Sequence, residues 1–550
     1  MDEISVIVGG KAGDGISNAG SVIAQLFNRL GYYVYMYTDY PSLIRGGHNF
    51  CHIRAASGPV GAYNPGTDFL LALNQETVNI HEPECPDCTV IANSDLVKDA
   101  KGGPAVSVAS ILKVESAPPI TGNSAMIGAF AKAAGIPWDT VEVVFQRHMP
   151  KADVNLRVAK RAYDEVSTIR AIPPRKGAPH SLLTGNEAVA LGFLKGGITT
   201  YIAYPMTPSS TILHFLAAQA GKFGITVVHP ENEIAVALMG IGSAVAGSRT
   251  AVGTSGGGFC LMTESLSCAG MMEVPLVFAI SQRTGPSTGV PTYTGQADLK
   301  FVLSAGQGEF PRFVAAPADA GEAYRWSAAA VDLAWRYQVP AFVLVDKTLS
   351  EGTYSVGYDT LAPLPAGEPV LWDGTAPYRR YADTPSGISA LAYPGMKGAI
   401  VKTNSYAHDE DGITTEEAAL IDQMAKKRLK KEAALARELE HYPCVNVRGR
   451  ADSPTALLCW GSVRNACDEA AAGLGFRVIQ PVVLSPFPKA AFARACEGVT
   501  RLIAVEENAT GQLASLAREN GFTVSSLVTK YDGRPFTPAE LAAKLREVPV

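Results

Sequence analysis

The sequence predicts an α/β protein built of three doubly wound domains. Three observations carry that expectation. Strand-like apolar runs alternate with helical ones along most of the chain, glycine-rich turns join several strand ends to helices, and 550 residues exceed what one hydrophobic core serves.

The first domain is placed at residues 1–172. Ile4 to Gly9 reads as a buried strand feeding the turn Gly9-Gly10-Lys11-Ala12-Gly13-Asp14-Gly15, then a helix to about Leu30 and a second strand, Tyr32 to Tyr37. That order is a βαβ unit and predicts a mainly parallel sheet. Residues 173–180, rich in proline around Pro173-Pro174, read as a linker. A second α/β domain follows at 181–371, with strands expected at 201–203, 226–228, 250–253, 276–280 and 341–345. Residues 372–450 read as an extended connection containing a charged helix from about Thr415 to Glu440. Its cluster Lys426-Lys427-Arg428 and Lys430-Lys431 is expected to be a solvated face. The last domain, 451–550, alternates again, with strands at 456–459, 477–479 and 501–505.

Composition excludes several partners. Charged residues make up 18%, the net charge is −5 and no run of five like charges occurs, so neither nucleic acid nor an anionic membrane is expected. Met1-Asp2-Glu3-Ile4 enters an apolar run without the basic segment of a secretory signal. Apolar stretches break well short of the roughly 20 residues that cross a bilayer, so the expectation is a soluble cytoplasmic protein. Nine cysteines, an odd number, fit free thiols in a reducing compartment. The only Cys-x-x-Cys pair, Cys85 and Cys88, has no second pair at metal-site spacing and reads as a surface turn.

The Gly9 to Gly15 loop could hold a phosphate or be structural. Its glycines do not fall as a nicotinamide fingerprint requires, which weakens a dehydrogenase reading. Gly13-Asp14-Gly15 resembles the start of a thiamine-diphosphate signature, but no Asn-Asn follows anywhere to complete a Mg²⁺ site.

The chemistry is expected in the second domain. Tyr204-Pro205-Met206-Thr207-Pro208-Ser209-Ser210 joins a strand to a helix, with Thr207 as a natural N-cap and Pro208 at the first helical position. Such a terminus either caps itself or receives a carboxylate. His229-Pro230-Glu231-Asn232-Glu233 opens a helix so apolar through Gly242 that burial on every side is expected. Its carboxylates either favour the helix dipole or bond a buried ligand nitrogen. Thr254-Ser255-Gly256-Gly257-Gly258 permits close approach of a ligand or partner backbone. Arg283 follows a third strand end and is either a bidentate carboxylate clamp or a structural ion pair. Open α/β sheets bind ligands at such strand ends.

Together with Arg283-Thr284-Gly285-Pro286-Ser287-Thr288-Gly289-Val290-Pro291-Thr292 and Val505-Glu506-Glu507-Asn508-Ala509-Thr510-Gly511-Gln512-Leu513, these segments resemble the alpha subunit of 2-oxoacid:ferredoxin oxidoreductases, in the form carrying an N-terminal gamma domain. The resemblance extends over nearly the whole chain. It implies a gamma-type domain, a pyrimidine-binding-type domain and a transketolase C-terminal-like domain. It further implies a beta subunit that holds thiamine diphosphate by its diphosphate and Mg²⁺ and carries an Fe₄S₄ cluster, with ferredoxin as electron acceptor and coenzyme A as co-substrate. A heterodimer or dimer of heterodimers is the implied assembly.

By the same resemblance Glu233 bonds the ring nitrogen N1′ and favours the imino tautomer that deprotonates the thiazolium carbon. Thr254, Ser255, Gly256 and Gly257 lie against the cofactor. Thr207 and Arg283 hold the substrate carboxylate, with Tyr204, Pro205, Pro208 and Ser209 around it. Two departures stand out: Gly257 where proline is usual, and Thr292-Tyr293-Thr294-Gly295-Gln296 in place of a more polar stretch. Both are expected near the substrate pocket. The fused arrangement points to 2-oxoglutarate, with pyruvate or a branched-chain 2-oxoacid as alternatives. A competing reading is a non-catalytic subunit that presents coenzyme A or serves as a scaffold.

Overall fold

The computed structural model describes residues 3–42 and 47–549, so Met1 and Asp2, which entered the reading of the N-terminus, lie outside it. Its chain divides into two compact units: one runs to Leu183 and includes Glu351–Gly357, the other comprises Thr184–Ser350 and Tyr358 onward. Among the described residues three sheets organise them, two in the second unit.

In the first unit, eight strands run in the order Ala105–Val106, Thr89–Asn93, Phe69–Ala72, Glu3–Lys11, His48–Ala56, Tyr33–Asp39, Thr353–Val356 and Ser181–Thr184. The expected βαβ pairing does not form. His48–Ala56 lies between Glu3–Lys11 and Tyr33–Asp39 and is antiparallel to both, so the sheet is mixed rather than mainly parallel. Thr353–Val356, assigned by sequence to the middle domain, also adds antiparallel to Tyr33–Asp39. The apolar face of the helix Ile16–Arg29 packs with Phe69, Phe130 and Phe145 into a core that seals Leu26 and Phe27 from solvent. Each such side chain contributes about 1.5–3 kcal/mol.

The seven-stranded sheet of the second unit positions the candidate site. Its order is Val483–Ser485, Phe313–Ala315, Ala341–Asp346, Val277–Gln282, Thr250–Thr254, Thr200–Ala203 and Thr226–Val228. The last six are mutually parallel, so their carboxyl ends share one edge. All but the edge strand Thr226–Val228 are buried on both faces, which explains why they read as continuous apolar runs. Val483–Ser485 comes from the C-terminal part of the chain and pairs antiparallel with Phe313–Ala315. The remaining sheet has the order Val445–Gly449, Arg477–Pro481, Thr455–Leu458, Arg501–Glu506 and Ser526–Thr529.

The charged helix forms at Ala418–Leu439, but its basic cluster is not wholly solvated. Lys427 and Lys431, four apart on one face, are buried and both pair with the carboxylate of buried Glu273. Those cations hold Glu273 well below the usual carboxylate range, while burial lowers Lys431 to about 7. Lys426 and Lys430 do face outward. Among the described residues no helix is long and apolar enough to cross a membrane.

Candidate active site at the strand ends of the middle sheet

Four adjacent parallel strands deliver the predicted site residues to one edge. Thr200–Ala203 leads into Tyr204 to Ser209, and Thr226–Val228 leads to Glu233. Thr250–Thr254 ends at the glycine loop, and Val277–Gln282 ends beside Arg283.

The glycine loop is the hub. Gly256 begins a short helical turn, Gly256–Phe259, and close packing explains two of its glycines. A Cβ on Gly258 would fall 2.2 Å from Thr254 Oγ1 and 2.7 Å from Glu233 Oε1. A Cβ on Gly256 would fall 2.2 Å from Asp298 Oδ2. Only glycine lets these polar groups crowd the backbone. Gly257 differs: a Cβ there would lie 3.6 Å from the Ser287 carbonyl oxygen and 3.9 Å from the Met206 sulfur, ordinary contact distances. A side chain at 257 is therefore sterically permitted, and those two neighbours bring the 204–209 and 283–289 segments to the same loop.

Glu233 is the first residue of the helix Glu233–Val245, behind the cap Asn232, whose Oδ1 accepts from Ala235 N at 3.0 Å. Of the two candidate carboxylates, Glu231 is exposed and Glu233 is only 4% exposed. The helix itself is not buried on every side, contrary to expectation. Ile234, Leu238 and Met239 are 44%, 51% and 43% exposed, and Leu261 beyond the glycine loop is 51% exposed. Ile234 and Leu238, four apart, form an apolar stripe beginning one residue from the buried carboxylate.

Two hydroxyls of the glycine loop, Thr254 Oγ1 and Ser255 Oγ, are buried without a hydrogen-bond partner among the described residues. That is a costly arrangement unless something else bonds them.

Thr207 does not cap a helix. The Thr207-Pro208 peptide is cis and the helix begins at Ser210, with Ser209 in the cap position. Ser209 donates its hydroxyl back to the Met206 carbonyl at 2.7 Å, and the Pro208 carbonyl accepts from Asn186 Nδ2 at 2.7 Å. Tyr204 is partly exposed and meets the His229 ring edge-on at 5.8 Å, while Pro205 is half-buried beside it. Thr207 and Arg283 do come together, through the backbone: Arg283 Nη1 donates to the Thr207 carbonyl at 2.9 Å. Arg283 Nε is buried without a partner among the described residues. Burial lowers the Arg283 pKa, opposed by the charge of Asp298.

Asp298 is a residue that the sequence reading missed. Burial pushes its carboxyl up to about 6 against the opposing pull of Arg283, and its backbone N–H is held by Gln282 Oε1 at 3.0 Å. The segment Thr292 to Gln296 proves to be partly a joint within its unit. Gln296 Nε2 donates to the Trp460 carbonyl at 2.8 Å and Gln296 N to the Glu507 carbonyl at 2.8 Å. The Glu506 to Leu513 segment is likewise self-bonded, with Glu506 accepting from Leu513 N and Ala514 N.

In the first unit, the Gly9 to Gly15 loop closes on itself. Asp14 Oδ2 accepts from Lys11 N at 3.0 Å, Asp14 N donates to the Lys11 carbonyl at 3.1 Å, and Asn123 Nδ2 reaches the Asp14 carbonyl at 2.6 Å.

Residues 192–427 match the family described as pyruvate flavodoxin/ferredoxin oxidoreductase, thiamine diphosphate-binding. Residues 5–165 match pyruvate ferredoxin/flavodoxin oxidoreductase. The chain is 30% identical to the 2-oxoacid:ferredoxin oxidoreductase subunit alpha of Saccharolobus solfataricus, over 99% of this chain and 98% of that one. It is 29% identical to the 2-oxoglutarate oxidoreductase subunit KorA of Mycobacterium tuberculosis, over 73% and 64%. Its structure superposes with a TM-score of 0.89 on the 2-oxoglutarate:ferredoxin oxidoreductase of Magnetococcus marinus, solved with 2-oxoglutarate, coenzyme A and succinyl-CoA bound. That pair shares 28% identity over 100% of this chain and 99% of the other. The chain, with its strand-end constellation and full-length match, belongs to the alpha-subunit family of the 2-oxoacid:ferredoxin oxidoreductases.

Proposed function

We propose that this chain supplies one half of a thiamine-diphosphate site in an enzyme that oxidatively decarboxylates 2-oxoglutarate onto coenzyme A and passes the electrons to ferredoxin. The observation that carries the reading is the buried Glu233 carboxylate, which shares the space behind Gly258 with the Thr254 hydroxyl, on a loop whose Thr254 and Ser255 hydroxyls have no partner among the described residues. A carboxylate and two hydroxyls on a glycine shelf fit the polar edge of an aminopyrimidine ring. When bound, thiamine diphosphate supplies the carbon that stabilises the electron pair left as CO₂ departs.

The chain's own residues then have distinct tasks. Glu233 would hold a proton against the ring nitrogen. Thr254 and Ser255 would bond the ring's polar edge, with the backbone of Gly256 and Gly257 against it. Arg283, fixed at one end by the Thr207 carbonyl, directs its remaining guanidinium donors to the substrate carboxylate. Asp298 balances its charge. Tyr204, Pro205, Pro208 and Ser209 wall the same space and restrict water.

The exposed apolar stripe of Ile234 and Leu238 supports an obligate partner, since monomers seldom leave large apolar side chains contiguous beside a buried charge. That partner is a beta subunit holding Mg²⁺, the diphosphate and the Fe₄S₄ cluster, in a cytoplasmic heterodimer or dimer of heterodimers. The relatives that act on 2-oxoglutarate, above all the Magnetococcus marinus enzyme, favour that substrate.

Expression alone and with a beta-type partner tests the reading. The complex is expected to be brown, to contain thiamine diphosphate and to reduce a low-potential dye with 2-oxoglutarate and coenzyme A. The single chain is expected to fold and do none of this; catalysis by the single chain would overturn the half-site.

A further inference from the structure

The Cys85-Pro86-Asp87-Cys88 segment lies in the first unit, after the helix Gln75–His81, and takes no part in the site above. Its backbone is a hydrogen-bonded turn, Cys88 N donating to the Cys85 carbonyl at 3.0 Å. Such a turn brings the first and fourth Cα atoms within about 7 Å, near the outer limit of disulfide reach. Pro86 occupies the second position, where its fixed φ favours the turn and spares the entropy of forming it. The two sulfurs already meet, with Cys85 Sγ donating to Cys88 Sγ at 2.8 Å.

The pair is also asymmetric. Cys85 is buried and Cys88 only half-buried. The hydrogen bond from Cys85 holds the Cys88 thiol below its ordinary pKa, and the same bond, with burial, pushes Cys85 up. Reactive cysteines combine thiolate character with access, and here one sulfur has both.

A metal explains the pair less well. His81 turns its Nε2 to His48 Nε2 at 2.8 Å, and among the described residues no group of three side chains could hold a metal ion.

We propose that Cys85 and Cys88 are a reversible dithiol–disulfide couple that exchanges with small-molecule disulfides, Cys88 attacking first. The Cys88 thiolate displaces one thiolate from the small disulfide and forms a mixed disulfide. Cys85, losing its proton to that departing thiolate, then attacks the Cys88 sulfur, forms the Cys85–Cys88 bond and expels the second thiolate. Two protein thiols are oxidised as one small disulfide is reduced to two thiols. Cys85 Sγ also lies 3.0 Å from the His81 carbonyl, so oxidation removes a donor from the end of the Gln75–His81 helix beside the His48–His81 contact.

The test equilibrates the full chain in buffers of varied glutathione to glutathione-disulfide ratio, followed by acid quenching, peptide mass mapping and return to dithiothreitol. The expected result is a Cys85–Cys88 peptide that loses two hydrogens with a defined midpoint and recovers fully on reduction. Exposed Cys260 serves as an internal control and is expected to carry only mixed glutathione disulfide. In Cys85→Ser, a mixed disulfide accumulates at Cys88; in Cys88→Ser, Cys85 reacts slower by roughly tenfold or more. No intramolecular disulfide at any ratio while Cys260 reacts would overturn the couple. So would zinc held by the two thiols. Equal reactivity in the two variants would overturn the order of attack and with it the proposal as stated.

Discussion

Two loops in this molecule share a design and differ in what they leave open. Gly9 to Gly15 and Thr254 to Gly258 both follow a buried strand, are rich in glycine and start a helix. In the first, Asp14 turns back on Lys11 and Asn123 ties the turn from a neighbouring helix, so the Asp14 carboxylate bonds within the loop itself. In the second, the Thr254 and Ser255 hydroxyls are buried without partners among the described residues and Gly258 is pressed against a buried carboxylate. Glycine spacing alone does not distinguish a structural turn from a binding shelf. The fate of the polar side chains around it differs between the two loops.

The contrast breaks most visibly at the glycines. Gly258→Ala places a Cβ where Thr254 and Glu233 now crowd, so turnover of the assembled enzyme is expected to fall by roughly 10²–10⁴-fold, the effect of displacing one preorganised catalytic contact. Steady-state kinetics alongside circular dichroism would check that the fold survives. Arg283→Lys is expected to raise the oxoacid KM by roughly ten- to a hundredfold with less effect on kcat, since an ammonium cannot replace the remaining guanidinium donors. An unchanged KM and kcat/KM would remove Arg283 from the substrate.

The loop in the first unit offers the opposite outcome. Gly13 has φ +96° and no atom within 4 Å of an added Cβ, so Gly13→Ala is expected to cost about 1 kcal/mol or somewhat more in stability through backbone strain. Turnover per folded enzyme should be unchanged, as thermal melts and kinetics together would show.

The smallest effect is electrostatic. The Asp298 pKa is raised from 3.8 to about 6 in the fold, so between these values the folded state binds more protons than the unfolded one. Asp298 therefore favours the fold below about pH 4, and that contribution fades as pH rises through about 6. In Asp298→Asn the melting temperature should fall less than in the wild type across that window; parallel curves would contradict the raised pKa.

Much of the fold could be read from the sequence because parallel strands buried on both faces declare themselves as apolar runs. The antiparallel His48–Ala56 strand could not, since His48, Asn49, His52 and Arg54 interrupt its pattern. Nor could Thr353–Val356, whose pairing depends on a strand more than three hundred residues earlier. Lys427 and Lys431 resemble surface charge until Glu273, 154 residues from Lys427, is brought to them. In the site, Glu233 stood out as an acid at the mouth of an apolar helix. Asp298 gave no such signal, because its role arises only from the approach of its carboxylate to Gly256 and Arg283.

The central claim is that Glu233, and not its neighbour Glu231, acts on the cofactor. Hydrogen–deuterium exchange at the reactive carbon of thiamine diphosphate, measured by rapid quench and NMR in the complex with a beta-type partner, addresses it directly. Glu233→Gln is expected to slow exchange by roughly 10²–10⁴-fold with assembly and cofactor content intact, while exposed Glu231→Gln exchanges as the wild type does. Wild-type exchange in Glu233→Gln, or equal slowing in both variants, would contradict the account.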